Sequence, residues 1–208
     1  MVRILTVRSG DDRSTPARIR DAALARFAAD GFQRATLRAI AADAGVSPAL
    51  VLHHFGSKDG LRQACDDHVV RLMMAEMEPW ISRPSQLADQ PASFAQMFAD
   101  AGDLVGYVGR ALVEGGTRTD DLVDRFFDLT EEMLAEGEAR GTMRASGDRR
   151  ALAAVVVVWD LATIVLGAHL ARAIGESDPQ RIMLRYATVA MEVFSRGMII
   201  EPHERQPK

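Results

Sequence analysis

Residues 36–55 read TLRAIAADAGVSPALVLHHF, and this stretch predicts two short amphipathic helices joined by a tight turn. The apolar residues of the first helix recur at i, i+3, i+4 and i+7, and they are Leu37, Ile40, Ala41 and Ala44. Thr36 and Ser47 are each placed to cap a helix with a side-chain oxygen. Gly45 supplies the left-handed residue that ends the first helix, and Pro48 takes the first position of the second. The pattern predicts a helix-turn-helix, whose second helix enters the major groove of DNA.

The preceding segment makes this interpretation more specific, because two short helices around a glycine occur in many proteins. A helix is predicted from Pro16 to Asp30, with Thr15 as its cap. Gly31 is expected to close this helix, and Phe32 is expected to fold back on Phe27 in a Schellman motif. The helix-turn-helix therefore has a first supporting helix of its own.

After the second short helix, the sequence GSKDGL predicts a long fourth helix that Ser57 caps. The order of helices, glycines and caps over residues 14–69 resembles the N-terminal domain of the tetracycline-repressor (TetR/AcrR-type) family of bacterial transcriptional regulators. Beyond that range the resemblance rests on length and helical layout. It implies an all-α fold with a flexible N-terminal arm (1–14), a helix-turn-helix DNA-binding domain of three helices (15–60) and a helical effector-binding and dimerisation domain (61–208).

The resemblance and the local pattern select nine candidate DNA-binding residues. They are Arg38, Ser47, Pro48, Ala49, Leu50, Leu52, His53, His54 and Lys58. The arginine, the serine and the lysine lie at helix N-termini or in first turns, where backbone N–H groups and positive charge hold phosphates. The apolar residues that open the recognition helix are able to read thymine methyl groups but not guanine. Leu52 occupies a position where the family usually has tyrosine, so the two histidines that follow it are candidates for the missing phosphate contact.

The charge of the chain is unevenly distributed. The formal net charge is −4, but residues 1–60 contain nine Lys or Arg against six Asp, so this part carries +3 and the remainder −7. A basic N-terminal region on an acidic body fits a protein that meets phosphates through that region alone. No phosphate-binding glycine loop, nucleophile elbow or catalytic carboxylate pair is evident, and adjacent histidines on a helix point about 100° apart. Neither an enzyme, a metal site nor a cofactor is expected.

The rest of the chain is expected to be helical throughout. Apolar periodicity predicts helices near 58–79, 91–100, 102–115, 119–140, 148–174 and 178–199. A loop is predicted at 81–91, a turn between Gly141 and Gly147, and an N-terminal cap at Asp178. Cys65, the single cysteine, is expected to be a small core residue and suits a reducing cytoplasm. No signal peptide is recognised in residues 1–14.

The segment 148–174 is apolar almost all round, and this pattern predicts a homodimer. A helix that is apolar on every side must be covered on every side, and the body is too small to do this alone. We therefore expect two copies to associate through helices near 148–174 and 178–199. A membrane span is not expected, because Asp160 at the centre would cost about 2.5–3.5 kcal/mol in a bilayer. Cytoplasmic localisation is the expectation.

Apolar and polar side chains of the body suggest a pocket for a small-molecule effector of unknown identity. The candidate lining residues are Met77, Trp80, Phe98, Tyr107, Phe127, Thr130, Trp159, Asp160 and Thr163. Each of them is also explained as part of a core, and Asp160 as an interhelix or intersubunit hydrogen bond. By resemblance, the chain is expected to be a homodimeric repressor that an apolar ligand releases from a palindromic DNA operator. The alternative is a DNA-binding regulator without an effector, whose body serves dimerisation or protein contacts.

Overall fold

The computed structural model describes residues 14–82 and 102–196, and side chains are described except at 76–82, 195 and 196. These residues form α1 (Thr15–Asp30), α2 (Leu37–Asp43), α3 (Pro48–Phe55), α4 (Lys58–Ser82), α5 (Gly102–Glu114), α6 (Thr117–Arg140), α7 (Arg149–Val165), α8 (Gly167–Ile174) and α9 (Pro179–Arg196). No strand occurs in these ranges, so the expected all-α fold is confirmed. The helix expected at 91–100, most of the loop at 81–91 and the N-terminal arm before Ser14 lie outside the described residues.

The chain divides into two compact units. The first unit contains the described residues up to Met74 together with Asp103–Asp128, and the second contains the others. The helix-turn-helix therefore shares its unit with α5 and with the first part of α6, which follow it far along the sequence.

The local signals that predict the helix-turn-helix are confirmed. The Thr36 hydroxyl accepts a hydrogen bond from the Ala39 N–H at 3.2 Å and so caps α2. The Ser47 hydroxyl accepts one from the Leu50 N–H at the same distance and caps α3. These bonds satisfy backbone donors that a helix N-terminus leaves free. The N-terminus of each short helix is thus fixed by a capping residue that directly precedes it in the sequence.

The turn between α2 and α3 is a Schellman motif. Gly45 has φ +66°, which an L residue rarely adopts. The Val46 N–H donates to the Ala41 carbonyl at 2.9 Å, and the Gly45 N–H donates to the Ala42 carbonyl at 3.1 Å. This pair of bonds defines the motif, and the predicted left-handed Gly45 at the end of α2 is confirmed.

The two ends of α1 differ from the prediction. The helix begins at Thr15, so the expected cap at this residue is wrong; Ser14 takes the cap position and its side chain makes no capping bond. At the other end, Gly31 has φ +82° and ψ 164°, a region that only glycine adopts readily. The Phe27 and Phe32 rings meet as expected, at 5.1 Å between centroids. The Schellman bonds do not form, because the extended ψ of Gly31 carries the chain away from the helix.

The core of the first unit joins α1, α4 and α5. Tyr107 is fully buried, and its ring centroid lies 5.1 Å from that of Phe32 and 6.2 Å from that of Phe27. Its hydroxyl donates to Asp66 Oδ1 at 2.6 Å. Burial raises the pKa of the Asp66 carboxyl, and the bond from Tyr107 opposes that rise. Cys65 is buried as predicted.

The Glu114 carboxylate, at the end of α5, fastens the turn that follows α1. Its Oε2 accepts the Phe32 N–H at 3.1 Å, which replaces the missing Schellman bond. Arg110, one turn earlier, donates to the Ala28 and Ala29 carbonyls at 3.4 Å each. These carbonyls lie at the negative end of the α1 dipole, where a cation is stabilised.

The helix predicted at 148–174 is wrong as one continuous element. It breaks at Leu166 (φ −101°, ψ 12°), and α7 and α8 are bent by 82°. Gly167 lacks the Cβ that favours a continuous helix, and the Thr163 hydroxyl bonds back to the Asp160 carbonyl at 2.7 Å, a pattern that bends helices. Within the described ranges, no single helix is long and apolar enough to cross a membrane, although the bent pair reaches that length and composition.

The second unit is held by short-range pairs as well as by an apolar interior. Asp178 accepts the N–H groups of Gln180 and Arg181 at 2.9 and 3.2 Å, so the predicted cap of α9 is confirmed. Glu138 on α6 pairs with Arg149 at 2.6 Å, which closes the connection between α6 and α7 and holds the pKa of Glu138 below its usual range. The buried residues among those described in this unit are Thr130, Leu134, Gly137, Ala153, Val157, Ile182, Ala187 and Ala190.

We predict that Gly31→Ala lowers the free energy of unfolding by about 1–3 kcal/mol, because alanine is strained at this φ and ψ. Its Cβ would also clash with the Glu114 carboxylate. Gly175→Ala is the control, since Gly175 has an ordinary left-handed φ of +70° and no atom within 4 Å of an added Cβ. Urea unfolding of both variants measures the difference. Equal losses would show that the Glu114 contact adds nothing.

Candidate nucleic-acid interface

The recognition helix α3 presents most of its side chains to solvent. Val51 is fully buried and anchors the helix, and Leu50 is half-buried. Leu52, in contrast, is 46% exposed although it is a large apolar residue. The other predicted DNA-contacting residues of this segment are exposed, namely Ser47, Pro48, Ala49, His53 and His54. The exposed surface therefore combines small apolar groups, one leucine and two imidazoles.

The two histidines lie side by side at the C-terminal end of α3. Their ring centroids are 5.4 Å apart and the rings are steeply inclined. Imidazole nitrogens both donate and accept hydrogen bonds, so this pair is suited to phosphate oxygens and base edges alike. Within residues 14–82 and 102–196, no group of three or more metal-binding side chains comes together.

An arginine on α1 holds α2 in place through a two-bond ion pair. Arg26 Nε and Nη2 donate to the two carboxylate oxygens of Asp43, each at 2.8 Å. Asp30 adds a third contact at 3.3 Å. These two carboxylates, Asp43 above all, raise the pKa of the Arg26 guanidinium. A planar guanidinium bound at both nitrogens fixes direction as well as distance, so this pair orients α2 on α1.

A second arginine of α1 holds the turn that leads into α3. Arg18 Nη2 donates to the Ala44 carbonyl at 2.6 Å, at the C-terminus of α2. The same nitrogen lies 3.2 Å from the point that a Cβ on Gly45 would occupy. Sequence reasoning counted Arg18 and Arg26 only as positive charge. Their spacing of eight residues on one helix is the signal that they share a face.

Most other basic residues near α3 also bind their own chain. Lys58 Nζ donates to the Gln33 carbonyl at 3.2 Å, and Arg34 Nε donates to the Asp30 carbonyl at 2.9 Å. Arg38, in the first turn of α2, is exposed and makes no hydrogen bond or ion pair within the described ranges. Of the two cations predicted to meet phosphates, Arg38 is thus the one that forms no bond to other residues in the described part of the chain.

Comparison with known proteins identifies this arrangement. Residues 19–65 match the family model for bacterial regulatory proteins of the tetR family, and residues 100–200 match that for the tetracyclin repressor-like C-terminal domain. The chain is 33% identical over 197 residues to the HTH-type transcriptional regulatory protein RaaS of Mycobacterium tuberculosis, covering 91% of this chain and 89% of that protein. The chain belongs to the TetR family. This TetR-family protein is a DNA-binding transcriptional regulator.

Solved structures of other regulators share the fold of this TetR-family chain. FadR from Bacillus subtilis, in complex with stearoyl-CoA, superposes with a TM-score of 0.66 at 16% identity, covering 88% of this chain and 99% of that one. FadR from Bacillus halodurans gives a TM-score of 0.65 at 15% identity, covering 88% and 97%. At such low identity these similarities establish the fold and nothing about the ligand.

The predicted effector-pocket residues of this TetR-family regulator fall into separate places. Tyr107 lies in the aromatic core of the first unit, and Phe127 is half-buried in the same unit. The second unit contains the candidates Thr130, Trp159, Asp160 and Thr163. The side chains of Met77 and Trp80, and the whole of Phe98, lie outside the described residues. The structure therefore groups Trp159, Asp160 and Thr163 on α7. It places Tyr107 in the core that packs α1 against α5 in the first unit.

We predict that Arg26→Lys weakens DNA binding without changing its dependence on salt. Lysine keeps the charge but loses the two-bond geometry with Asp43, so α2 and α3 are held less firmly. Because no phosphate contact is lost, the slope of log affinity against log salt stays the same. Arg34→Lys, at an arginine with one bond to a carbonyl, is the control and should bind as the wild type does. A reduced slope for Arg26→Lys would instead indicate that Arg26 contacts DNA.

Proposed function

We propose that this regulator is a homodimeric repressor that binds a near-palindromic operator and is released by a small apolar ligand. The observation that carries the proposal is the presentation of α3, an exposed helix started by its own cap and braced from α1 through Arg18 and Arg26. A recognition helix must be held in a fixed direction to read a groove. Both braces act on α2 and its C-terminal turn, immediately before α3.

We infer separate tasks for the residues around α3. Arg38, Lys58 and the capped N-terminus at Ser47 are suited to phosphates, because they offer charge or free backbone donors. The exposed Pro48, Ala49 and Leu52 contact base edges through apolar atoms, with thymine methyl groups as the natural partners, and Leu50 lies half-buried beside them. Since the family tyrosine is replaced by Leu52, His53 or His54 supplies the polar contact at that end of the helix.

A second copy of the chain is the proposed cover for an exposed apolar stripe on α7. Val155 and Val158 are 56% and 58% exposed, Val165 continues the same stripe, and Leu166, at the break after α7, is exposed as well. Leu184 and Val189 add exposed apolar surface on α9. Contiguous apolar surface of this kind marks an interface in soluble proteins. In the proposed dimer, the two helix-turn-helix domains bind major grooves about one DNA turn apart, ~34–36 Å.

Two observations support the proposal that a ligand releases this regulator from DNA, namely the candidate pocket residues of the second unit and the fold that the chain shares with a ligand-bound regulator. The Bacillus subtilis FadR structure, which shares the fold, is in complex with stearoyl-CoA, and this supports ligand binding by a body of this fold without indicating which ligand this chain binds. A ligand shifts such a protein only if it binds the DNA-free state more tightly than the DNA-bound state. The proposed effector is apolar because the candidate α7 residues include Trp159 among valines and leucines.

We predict that Arg38→Ala and Lys58→Ala each lower the salt slope of DNA binding by about 0.9, the value of one phosphate contact. The Lys58 ammonium has two further protons to donate beyond its bond to Gln33. Gel-shift titrations at several salt concentrations measure the slope. Arg181→Ala, which removes an exposed arginine from the second unit, is the control for net charge. An unchanged slope in either test variant removes that residue from the interface.

We predict that Val158→Asp converts the dimer into monomers at micromolar concentration, because a carboxylate would be buried in an apolar interface. Val113→Asp is the matched control, since Val113 is 71% exposed on α5 in the first unit. Sedimentation velocity distinguishes the two species. The proposal of a dimer through α7 is contradicted if the wild type is a monomer or if both variants remain dimeric.

A further inference from the structure

Asp160 on α7 carries a carboxylate that no charged side chain of the described residues compensates. Its side chain is half-buried, and no hydrogen bond or ion pair to it forms within the described ranges. Burial alone raises its pKa to about 6, without a contribution from any other charged group. The Thr163 hydroxyl, one turn away, bonds to the Asp160 backbone carbonyl and not to its carboxylate. Among the side chains that the structure describes, the acid therefore has no group that balances its charge.

Trp159, which precedes Asp160 on α7, contacts an aromatic side chain of α9. The rings of Trp159 and Phe194 are 5.0 Å apart between centroids. Among the described residues, the Tyr186 hydroxyl is shielded from solvent and forms no hydrogen bond of ordinary geometry, although a weaker interaction with the Trp159 side chain lowers its pKa against the effect of burial. The negative charge of Asp160 contributes to raising the pKa of Tyr186, to about 12, after the larger effect of burial. We call Trp159, Asp160, Tyr186 and Phe194 the Asp160 cluster.

The composition of the Asp160 cluster points to one class of partner. An uncompensated acid in apolar surroundings costs free energy unless a partner supplies positive charge or hydrogen bonds. Aromatic faces attract cations as well, through the negative charge at the centre of the ring. A ligand with a positive charge and an apolar body satisfies the carboxylate and the rings together. An anionic ligand, in contrast, would be repelled by the carboxylate.

We propose that the Asp160 cluster binds a monovalent organic cation with an apolar body. Its charged centre pairs with the carboxylate, and its apolar body packs on the rings of Trp159 and Phe194. The inference names the ligand class of the proposed regulator, and it rests on the proposed function only for the step that releases DNA. Charge complementarity separates this ligand class from the anionic stearoyl-CoA bound by the Bacillus subtilis regulator of similar fold.

The test compares two ions of nearly equal size and shape but opposite charge. The full-length wild-type protein contains two tryptophans, and one of them, Trp159, belongs to the Asp160 cluster. Its fluorescence is titrated with tetraphenylphosphonium and, separately, with tetraphenylborate. We expect saturable binding of the phosphonium that is at least about tenfold tighter than that of the borate. Equal binding of the two ions would overturn the proposal without the need for any variant at Asp160.

A charge variant then assigns the binding to Asp160. Asp160→Asn keeps the shape of the side chain and removes the charge, so phosphonium affinity should fall at least about tenfold. Glu132→Gln is the control, because Glu132 is an exposed acid of the same unit. Unchanged affinity in Asp160→Asn overturns the proposal. A change of sedimentation in Asp160→Asn before ligand is added also overturns it, since Asp160 would then belong to the dimer interface.

Operator titration separates this inference from the proposed function. If the phosphonium binds through Asp160 and weakens operator binding, both stand. If it binds through Asp160 and leaves operator affinity unchanged, the cation site is confirmed and the ligand-released repressor is contradicted. If it weakens operator binding equally in the wild type and in Asp160→Asn, it acts elsewhere and the Asp160 site is excluded.

Discussion

The packing of Phe27, Phe32 and Tyr107 is the interaction on which the DNA-binding unit depends. These three rings join the end of α1, the turn after it and α5, and the bond from Tyr107 to Asp66 adds α4. Aromatic groups of this size bury large apolar areas and prefer tilted contacts such as these. Once α1 is fixed in this way, its arginines hold α2 and the turn into α3. The direction of the recognition helix α3 is thus set through α1, by aromatic contacts that do not involve α3 itself.

Electrostatic interactions in the DNA-binding unit serve the fold before they serve DNA. The N-terminal region has a positive net charge, yet Arg18, Arg26 and Arg34 donate to carbonyls or carboxylates of their own unit. A guanidinium used in this way still contributes to the electrostatic potential at the surface, but its donors are committed. Direct phosphate contacts are therefore expected from few side chains, with backbone N–H groups at helix N-termini supplying the others.

Local features of this fold could be read from the sequence, whereas contacts between distant residues could not. The caps at Thr36 and Ser47 and the turn at Gly45 depend on neighbours within five residues. The cap of α1 was misplaced by one residue because Ser14 and Thr15 are both good capping residues before a proline. The break at Leu166 was missed because the apolar pattern continues across it. Tyr107 resembles a pocket residue until Asp66, 41 positions earlier, is seen to accept a hydrogen bond from its hydroxyl.

The placement of α5 bears on how this protein can be taken apart and recombined. Chimeric regulators are designed on the assumption that the DNA-binding domain ends where the helix-turn-helix motif ends. Here a graft of residues 1–74 onto another body would leave the Phe27 and Phe32 rings uncovered, the Asp66 carboxyl without its donor and the Phe32 N–H without Glu114. A DNA-binding domain transferred to another protein must therefore include Asp103–Asp128. A domain boundary placed within α4, as the position of the helix-turn-helix suggests, would divide a single compact unit of this chain.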